Sequence, residues 1–302
     1  MHAIVWAHLR RCRVVHPGSL TLGAVVPPPP PSTLTDLLAD LVAEHEDLDR
    51  IVASLDEAGW NRPTPAEGWA VRDQISHLAF FDDTAVMAMT DPEAFTALAE
   101  AAMASSGDPM AEHLRRGRAM AGREVLAWWR AGRSAMVEHA GKLDERARVP
   151  WFGPPMGAMS FVSARLMETW AHGQDVADTL GVTRTATRRL RHVAHLGVRA
   201  RPYAYAVRGR QVPPAPVLVE LVSPEGERWD WVAGAGEGTG AGPVDRVSGN
   251  ALDFCLVVTQ RRNVADTGLE VRGRAADDWM AIAQAFAGPP GPGRPPRARH
   301  DA

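Results

Sequence analysis

A chain of 302 residues, 45% hydrophobic and 23% charged, is long enough for two modest domains that each bury a core of their own. A formal net charge of -3 argues against a nucleic-acid surface as the main function, and no stretch is long and apolar enough to span a membrane, so the sequence points to a cytoplasmic protein. The two cysteines, Cys12 and Cys255, are too few for a thiolate zinc site, and Cys255 in the apolar run Phe254–Val258 reads as a small core residue. Thiol chemistry here would need a thiol from outside.

In chain order, residues 1–31 carry Arg10-Arg11 without the sustained apolar core or cleavage site of a signal, and they end in five prolines from Pro27 to Pro31. They read as a disordered leader or a mis-called start, with the real chain beginning near Val25 or Val26. From Thr33, apolar residues recur at three- and four-residue steps, which predicts a helix ending before Gly59. Gly68-Trp69 opens a second helix to about Thr90. A short helix follows Pro92, and one long helix from about Pro109 to Leu143 carries Trp128 and Trp129. The proline-rich loop from Val149 to Met159, with Trp151, Phe152 and Met156, leads into a helix for which Ser160 is the expected cap. A helix from Thr185 to about Arg208 closes this part.

After Gln211 the pattern changes. Val217–Val222 and Arg228–Val232 alternate as strands around Ser223-Pro-Glu-Gly-Glu, a hairpin signal. The Gly-rich stretch from Gly234 to Gly242 is too irregular for a phosphate-binding loop. A helix from Asn250 to Gln260, a strand near Leu269–Arg272 and a helix from Ala275 to Phe286 complete a small α+β domain. The expected organisation is therefore a leader at 1–31, a helical domain at 32–210, an α+β domain at 211–290 and a disordered tail at 291–302.

Glu168 and His172 stand four residues apart in a helical segment, so a carboxylate and an imidazole share one face. A Glu and a His at this spacing often form a mere surface pair. Here Leu166, Met167 and Trp170 crowd them, and a third candidate, His77, sits among Ile75, Leu78, Phe80 and Phe81; titratable groups in such company need partners. Brought together inside a bundle, the trio suits a zinc-type ion with one position left open. Asp175, one turn past His172, is the candidate to hold that imidazole from behind. His192 and His195 also share a helix face, but they lie among arginines and lack an acidic partner. The loop before the ligand helix reads equally as packing or as the rim of a pocket.

Thr64-Pro-Ala-Glu-Gly-Trp-Ala-Val-Arg-Asp-Gln-Ile-Ser-His-Leu, followed by Glu168-Thr-Trp-Ala-His-Gly-Gln-Asp-Val-Ala-Asp, resembles the metal-binding domain of mycothiol-dependent maleylpyruvate isomerases, within the DinB-like superfamily. The resemblance runs from about Leu34 to about Pro290. Its later part, including Arg191–Arg199, Ala251–Asn263 and Ala283–Gly291, is similar to an actinobacterial subfamily whose reactions are mostly unassigned. It implies a mainly α fold, a DinB-like four-helix bundle followed by a small α+β domain, with His77, Glu168 and His172 as ligands of a divalent metal, zinc by preference. Ala70 departs from the family, whose members usually carry Ser or Thr as this helix cap.

The resemblance also implies mycothiol as thiol cosubstrate and a small electrophilic carboxylate as substrate. An Arg near the end of the apolar helix reaches the active site in these isomerases, which makes Arg261 and Arg262 the candidate catalytic residues. Their plain reading is favourable charge at a helix C-terminus. Cis–trans isomerisation is the leading expectation. A mycothiol S-transferase of the same fold and a non-catalytic metal-binding or stress-response protein are the alternatives.

Overall fold

Thr33 begins the first helix with a reciprocal cap, its hydroxyl accepting from the Asp36 amide at 3.2 Å while the Asp36 carboxylate accepts the Thr33 amide at 2.9 Å. We describe residues 33–104, 111–144, 146–234 and 245–297 from a computed structural model of the chain; the leader expected at 1–31 lies outside them. They fall into two compact units, the first ending at Thr185.

Four long helices form the first unit: α1 (Leu34–Val52), α3 (Val71–Thr90), α6 (Gly122–Ala140) and α7 (Ala158–Leu180). Between them lie the short α2 (Glu57–Trp60), α4 (Pro92–Ala104) and α5 (Ala111–Arg118). Helix α1 packs on α6 and α7, and α3 packs on the same two, which closes a four-membered ring. Cross-helix bonds give the directions. Asp49 meets Arg130 while His45 meets Arg133, so α1 and α6 are antiparallel. Arg72 reaches Met120 and Asp83 reaches Trp128, so α3 and α6 run the same way, a crossover made by α4 and α5. Gln74 meets His172 and Asp82 meets Arg165, so α3 and α7 are antiparallel. Leu48, Val52, Trp60, Val71, Ile75, Leu78 and Trp129 fill the core at this end.

The helix expected from Pro109 to Leu143 is broken at residues 119–121, because Trp60 packs into the break. A Cβ on Gly122 would stand 2.2 Å from the indole, so only glycine lets the ring in. Glu57 then accepts the Gly122 amide at 2.6 Å. Helix α7 begins at Ala158 with Gly157 as its cap residue, which places Ser160 within the first turn rather than at the expected cap.

One core layer is polar. Arg165 donates to the same Asp82 oxygen at 2.9 and 3.2 Å, both side chains being buried. His45 on α1 is buried as well, edge-on to Trp129 at 5.8 Å. Burial, reinforced by the Arg133 and Arg165 cations, pushes its imidazole down to about 3 from an ordinary 6.5. The unfolded chain takes up a proton below about 6.5 and the folded chain only near 3, so stability is lost as pH falls through that window. The loss is up to about 1.4 kcal/mol per pH unit. The urea midpoint of metal-free protein should therefore drop between these limits, and His45→Gln should flatten the slope. An unchanged slope in the variant would assign the acid sensitivity to other groups.

The second unit runs from Ala186 and includes α8 (Leu190–Arg199) and α9 (Arg201–Ala206), so the boundary expected after residue 210 falls at Thr185. Helix α8 packs on α10 (Ala251–Val258) so closely that a Cβ on Gly197 would stand 2.6 Å from Val258. The buried Arg201 of α9 donates to the carbonyls of Ala215 and Pro213 at 3.0 and 3.3 Å and to that of Ala233. The expected hairpin is present as β3 (Val217–Val222) and β4 (Arg228–Ala233). The short pair β1 (Arg148–Val149) and β2 (Met156–Gly157) belongs to the bundle unit. Strand β5 (Asp245–Asn250) pairs parallel to β3 and antiparallel to β6 (Glu270–Arg272), giving the order β4-β3-β5-β6. Nothing in its sequence predicts β5, whose one fully buried residue is Val247. Helix α11 (Arg274–Met280) is shorter than expected, and the Gly-rich stretch after Gly234 lies outside the described residues.

The tail expected to be disordered from 291 is pinned as far as Arg297. Arg208 donates to the Gly291 carbonyl and Asn263 to that of Arg294, each at 3.0 Å, and the Arg297 amide donates to Asp266. Residues 298–302 lie outside the described part.

Candidate metal centre

Each element around the ligand trio is held by its own local chemistry. Residues 61–70 fold back on themselves, with Thr64 donating through amide and hydroxyl to the Trp69 carbonyl at 2.7 and 2.9 Å and Gly68 turning the chain at φ +75°. Ala70 provides no cap, as its side chain must; the Asp73 carboxylate accepts the Ala70 amide at 2.8 Å instead, and Arg118 grips Asp73 at 2.9 and 3.1 Å. Helix α3 thus starts firmly two turns before His77. On the other side, Ala158 at the start of α7 donates to the Ala147 carbonyl at 3.2 Å, and the β1–β2 pairing fixes the loop between them.

His77, Glu168 and His172 converge. One donor atom from each lies within 4.8 Å of the other two, in the one group of three or more His, Cys, Asp or Glu side chains with metal-ligand spacing among the described residues. The Glu168 Oε2 to His172 Nε2 distance is 3.2 Å and the Glu168 Oε2 to His77 Nε2 distance is 3.9 Å. Tetrahedral zinc with bonds of about 2.0–2.1 Å sets neighbouring donors about 3.3 Å apart. The donor set and its spacing fit such an ion, and three protein ligands leave one position for an exogenous molecule.

The imidazole of His172 is oriented from behind by Gln74. Its Nδ1 lies 2.5 Å from Gln74 Oε1, so Nδ1–H donates to the amide oxygen and, in the neutral ring, Nε2 on the Glu168 side is the atom through which His172 would ligate an ion. The Gln74 amide donates to Thr64 Oγ1 at 2.9 Å, which settles which end of the amide faces His172. Sequence reasoning gave this role to Asp175. Asp175 is buried, but the Nδ1 partner comes from the neighbouring helix, and the available signal was the three-residue step from Gln74 to His77 on one face of α3. Gln74→Leu should weaken zinc binding about 10–100-fold by freeing the ring, while Gln74→Glu should preserve it or strengthen it. Competition titration with a chromogenic chelator measures both; equal affinity in Gln74→Leu would remove Gln74 from the site.

Aromatic rings surround the imidazoles. Trp69 stacks on His172 with centroids 5.9 Å apart and lies 5.3 Å from His77, and Phe81 lies 4.7 Å from His77. Phe81 in turn meets Trp151 and Phe152 at 6.1 and 5.9 Å. The loop that the sequence left open between packing and rim therefore joins the ligand shell through Phe81.

The family described as the mycothiol maleylpyruvate isomerase N-terminal domain matches residues 41–177, a span containing all three ligand candidates. An uncharacterized protein of Mycobacterium tuberculosis, found in two strains, is 46% identical over 260 residues, covering 85% of this chain and 97% of its own length. The chain belongs to the mycothiol-dependent maleylpyruvate isomerase-like family. A crystal structure of the mycothiol-dependent maleylpyruvate isomerase superposes with a TM-score of 0.54 at 16% identity, over 80% of this chain and 93% of that one. A mutant of that isomerase gives 0.52 over 76% and 90%. At this identity the match speaks for the fold, mainly α with a small α+β part.

Outside the bundle of this family member, the other candidates have structural surroundings. His192 and His195 lie on α8, where burial and then the Arg199 charge lower the His195 imidazole, the opposite of an anionic ligand shell. Cys255 is fully buried with Sγ 3.4 Å from the Leu190 carbonyl, and burial pushes its thiol well up, as expected of a core residue. Cys12 lies outside the described residues.

Arg261 and Arg262 follow the end of α10. Their amides both donate to the Leu256 carbonyl, with Gln260 turned to φ +61° in the position glycine usually takes after a helix. Arg261 Nη1 donates to the Thr259 carbonyl and Arg262 Nη1 to that of Arg261, each at 2.7 Å. Both cations thus stand at a helix C-terminus.

No helix among the described residues is long and apolar enough to cross a membrane.

Proposed function

We propose that this protein is a metal-dependent, mycothiol-using enzyme acting on a small electrophilic carboxylate. The observation that carries the proposal is the convergence of His77, Glu168 and His172 in a three-ligand arrangement, in a chain of this family. The ion they would hold, zinc by the chemistry of two imidazoles and a carboxylate, would lower the pKa of a thiol in its open position, so that a thiolate is available near neutral pH. Gln74 keeps His172 in the tautomer that can ligate. Glu168 Oε2, at hydrogen-bond distance from the Nε2 of His172, adds the negative charge that makes the donor set suit a divalent cation.

The thiolate sulfur would form a C–S bond at an electrophilic carbon of an unsaturated substrate, the double-bond electrons moving onto the conjugated carbonyl. Rotation about the resulting single bond and expulsion of the thiolate returns the double bond in the other geometry, which is isomerisation. If the adduct is protonated and kept, the outcome is S-transfer. Arg261 or Arg262 would bind the substrate carboxylate through the planar fork of a guanidinium.

Titration of mycothiol into zinc-loaded protein, followed by product analysis with unsaturated carboxylates, tests this. Saturable mycothiol binding that disappears without zinc, with turnover, is expected. Zinc binding without any mycothiol binding would leave a metal-binding protein and reject the enzyme. With a working substrate, Lys in place of the carboxylate-binding arginine should lower turnover while bound zinc stays constant. Unchanged kinetics in Arg261→Lys and Arg262→Lys alike would remove both from the reaction.

A further inference from the structure

The rings beside the ligand trio form two layers that differ in one respect. Phe95 and Phe161, each 1% exposed, are core residues behind Trp151, which stacks on Phe95 at 5.6 Å and meets Phe161 at 5.1 Å. Trp69, Phe81, Trp151 and Phe152 in front of them are only partly buried. A single partly buried ring needs no explanation, but four large rings linked by ring contacts, each keeping some accessible surface, make an apolar wall that starts at the ligand trio.

The row begins at the ligands themselves. From His172 it passes through Trp69, His77 and Phe81 to Trp151 and Phe152, with no step between neighbouring centroids longer than 6.1 Å. Its far end is preformed. The β1–β2 register and the bond from Arg148 to the Pro155 carbonyl fix the loop, and Pro150, Pro154 and Pro155 restrict it further. A rigid apolar wall loses little entropy when a ligand lands on it.

We propose that this row is a subsite for a planar apolar group of the substrate, so that the molecule handled at the ligand trio carries an aryl or comparably unsaturated body beside its reacting carbon. The inference rests on the metal-centre reading above and adds the substrate class to it. A small, fully hydrated dicarboxylate gains nothing from four half-buried rings. A planar apolar body buries its faces and edges against them at the usual aromatic separations, and the water it displaces is the source of affinity. Trp69 and Phe81 both contact His77, so a ligand on the wall lies beside the imidazole and needs no separate pocket.

The test uses zinc-loaded full-length protein and two probes with the same zinc-binding head group, acetohydroxamate and benzohydroxamate, measured by calorimetry. Benzohydroxamate is expected to bind at least about tenfold more tightly, and 2-naphthohydroxamate more tightly again. In Phe152→Ala and Trp151→Ala the ratio of benzohydroxamate to acetohydroxamate affinity should fall toward one, while acetohydroxamate affinity and zinc content stay at the wild-type level. Trp151→Leu, which keeps apolar bulk against Phe95, should retain part of the ratio and serves if Trp151→Ala fails to fold. Equal affinity for both probes in the wild type, or an unchanged ratio in every wall variant, overturns the subsite and leaves the metal centre standing. Failure of either hydroxamate to bind zinc-loaded protein overturns the open metal position, and the subsite with it.

Discussion

His172→Ala is expected to lower zinc affinity by at least about a hundredfold. Four-ligand protein sites bind zinc with about 10–16 kcal/mol, so one ligand is worth about 2.5–4 kcal/mol, and an open three-ligand site has no spare side chain to compensate. Wild-type protein should carry about one divalent ion per chain, and His77→Ala and Glu168→Gln should lose it as readily as His172→Ala. Because Gln74 accepts from His172, its replacement is expected to have the smaller effect of a supporting contact, and the ranking itself is a test of the geometry. Elemental analysis after dialysis, together with chelator competition, measures both quantities. Wild-type retention in all three single variants would sink the site.

The ligand trio was legible because its signals are local or nearly so. Glu168 and His172 share a helix face by spacing alone, and His77 sits in an apolar segment where an imidazole needs a reason. Gln74 was not singled out, since a helix face predicts which residues of one helix are neighbours but not which neighbouring helix supplies a partner. Asp175 satisfied the first criterion and lost to the second. The same limit explains the broken helix. Residues 109–143 have helical periodicity throughout, and the interruption comes with the contact of Trp60 with Gly122, the Glu57 bond to the Gly122 amide and the local bond from the Ala121 amide to Glu124. Helices α8 and α9 read as a continuation of the bundle because helix propensity does not record the packing partner; Gly197 against Val258 and Arg201 on the carbonyls of Pro213, Ala215 and Ala233 place them with the sheet. Strand β5 escaped because its pairing with β3 is parallel and remote, while its own residues alternate weakly.

The buried pair of Asp82 and Arg165 gives the second large effect, and an asymmetric one. Asp82→Ala leaves a guanidinium buried without its carboxylate, and such a group cannot lose its proton, so a loss of about 3–5 kcal/mol is expected. For a unit of this size that corresponds to a fall of about 10 °C or more in Tm. Arg165→Met should cost less. Burial already pushes the Asp82 carboxyl upward while Arg165 pulls it down, so removing the cation lets the acid take up a proton and bury itself neutral. The sign of the pH dependence follows. With a folded pKa above the ordinary 3.8, the folded Arg165→Met variant binds more protons than its unfolded chain, so its stability falls as pH rises from about 4 toward the raised value; the wild-type carboxyl is raised too, by less, so the variant falls behind wild type only above the wild-type value. The double variant Asp82→Leu/Arg165→Met removes both charges and should recover most of the loss from Asp82→Ala, because what destabilises is the unmatched charge. Denaturant titration of the three variants at pH 5 and pH 8 decides it. If the double variant is as unstable as Asp82→Ala, the pair contributes through its specific bonds between α3 and α7. Those are the two helices that carry the ligands, and a parallel loss of zinc affinity would show that the register set by the pair also sets the metal site.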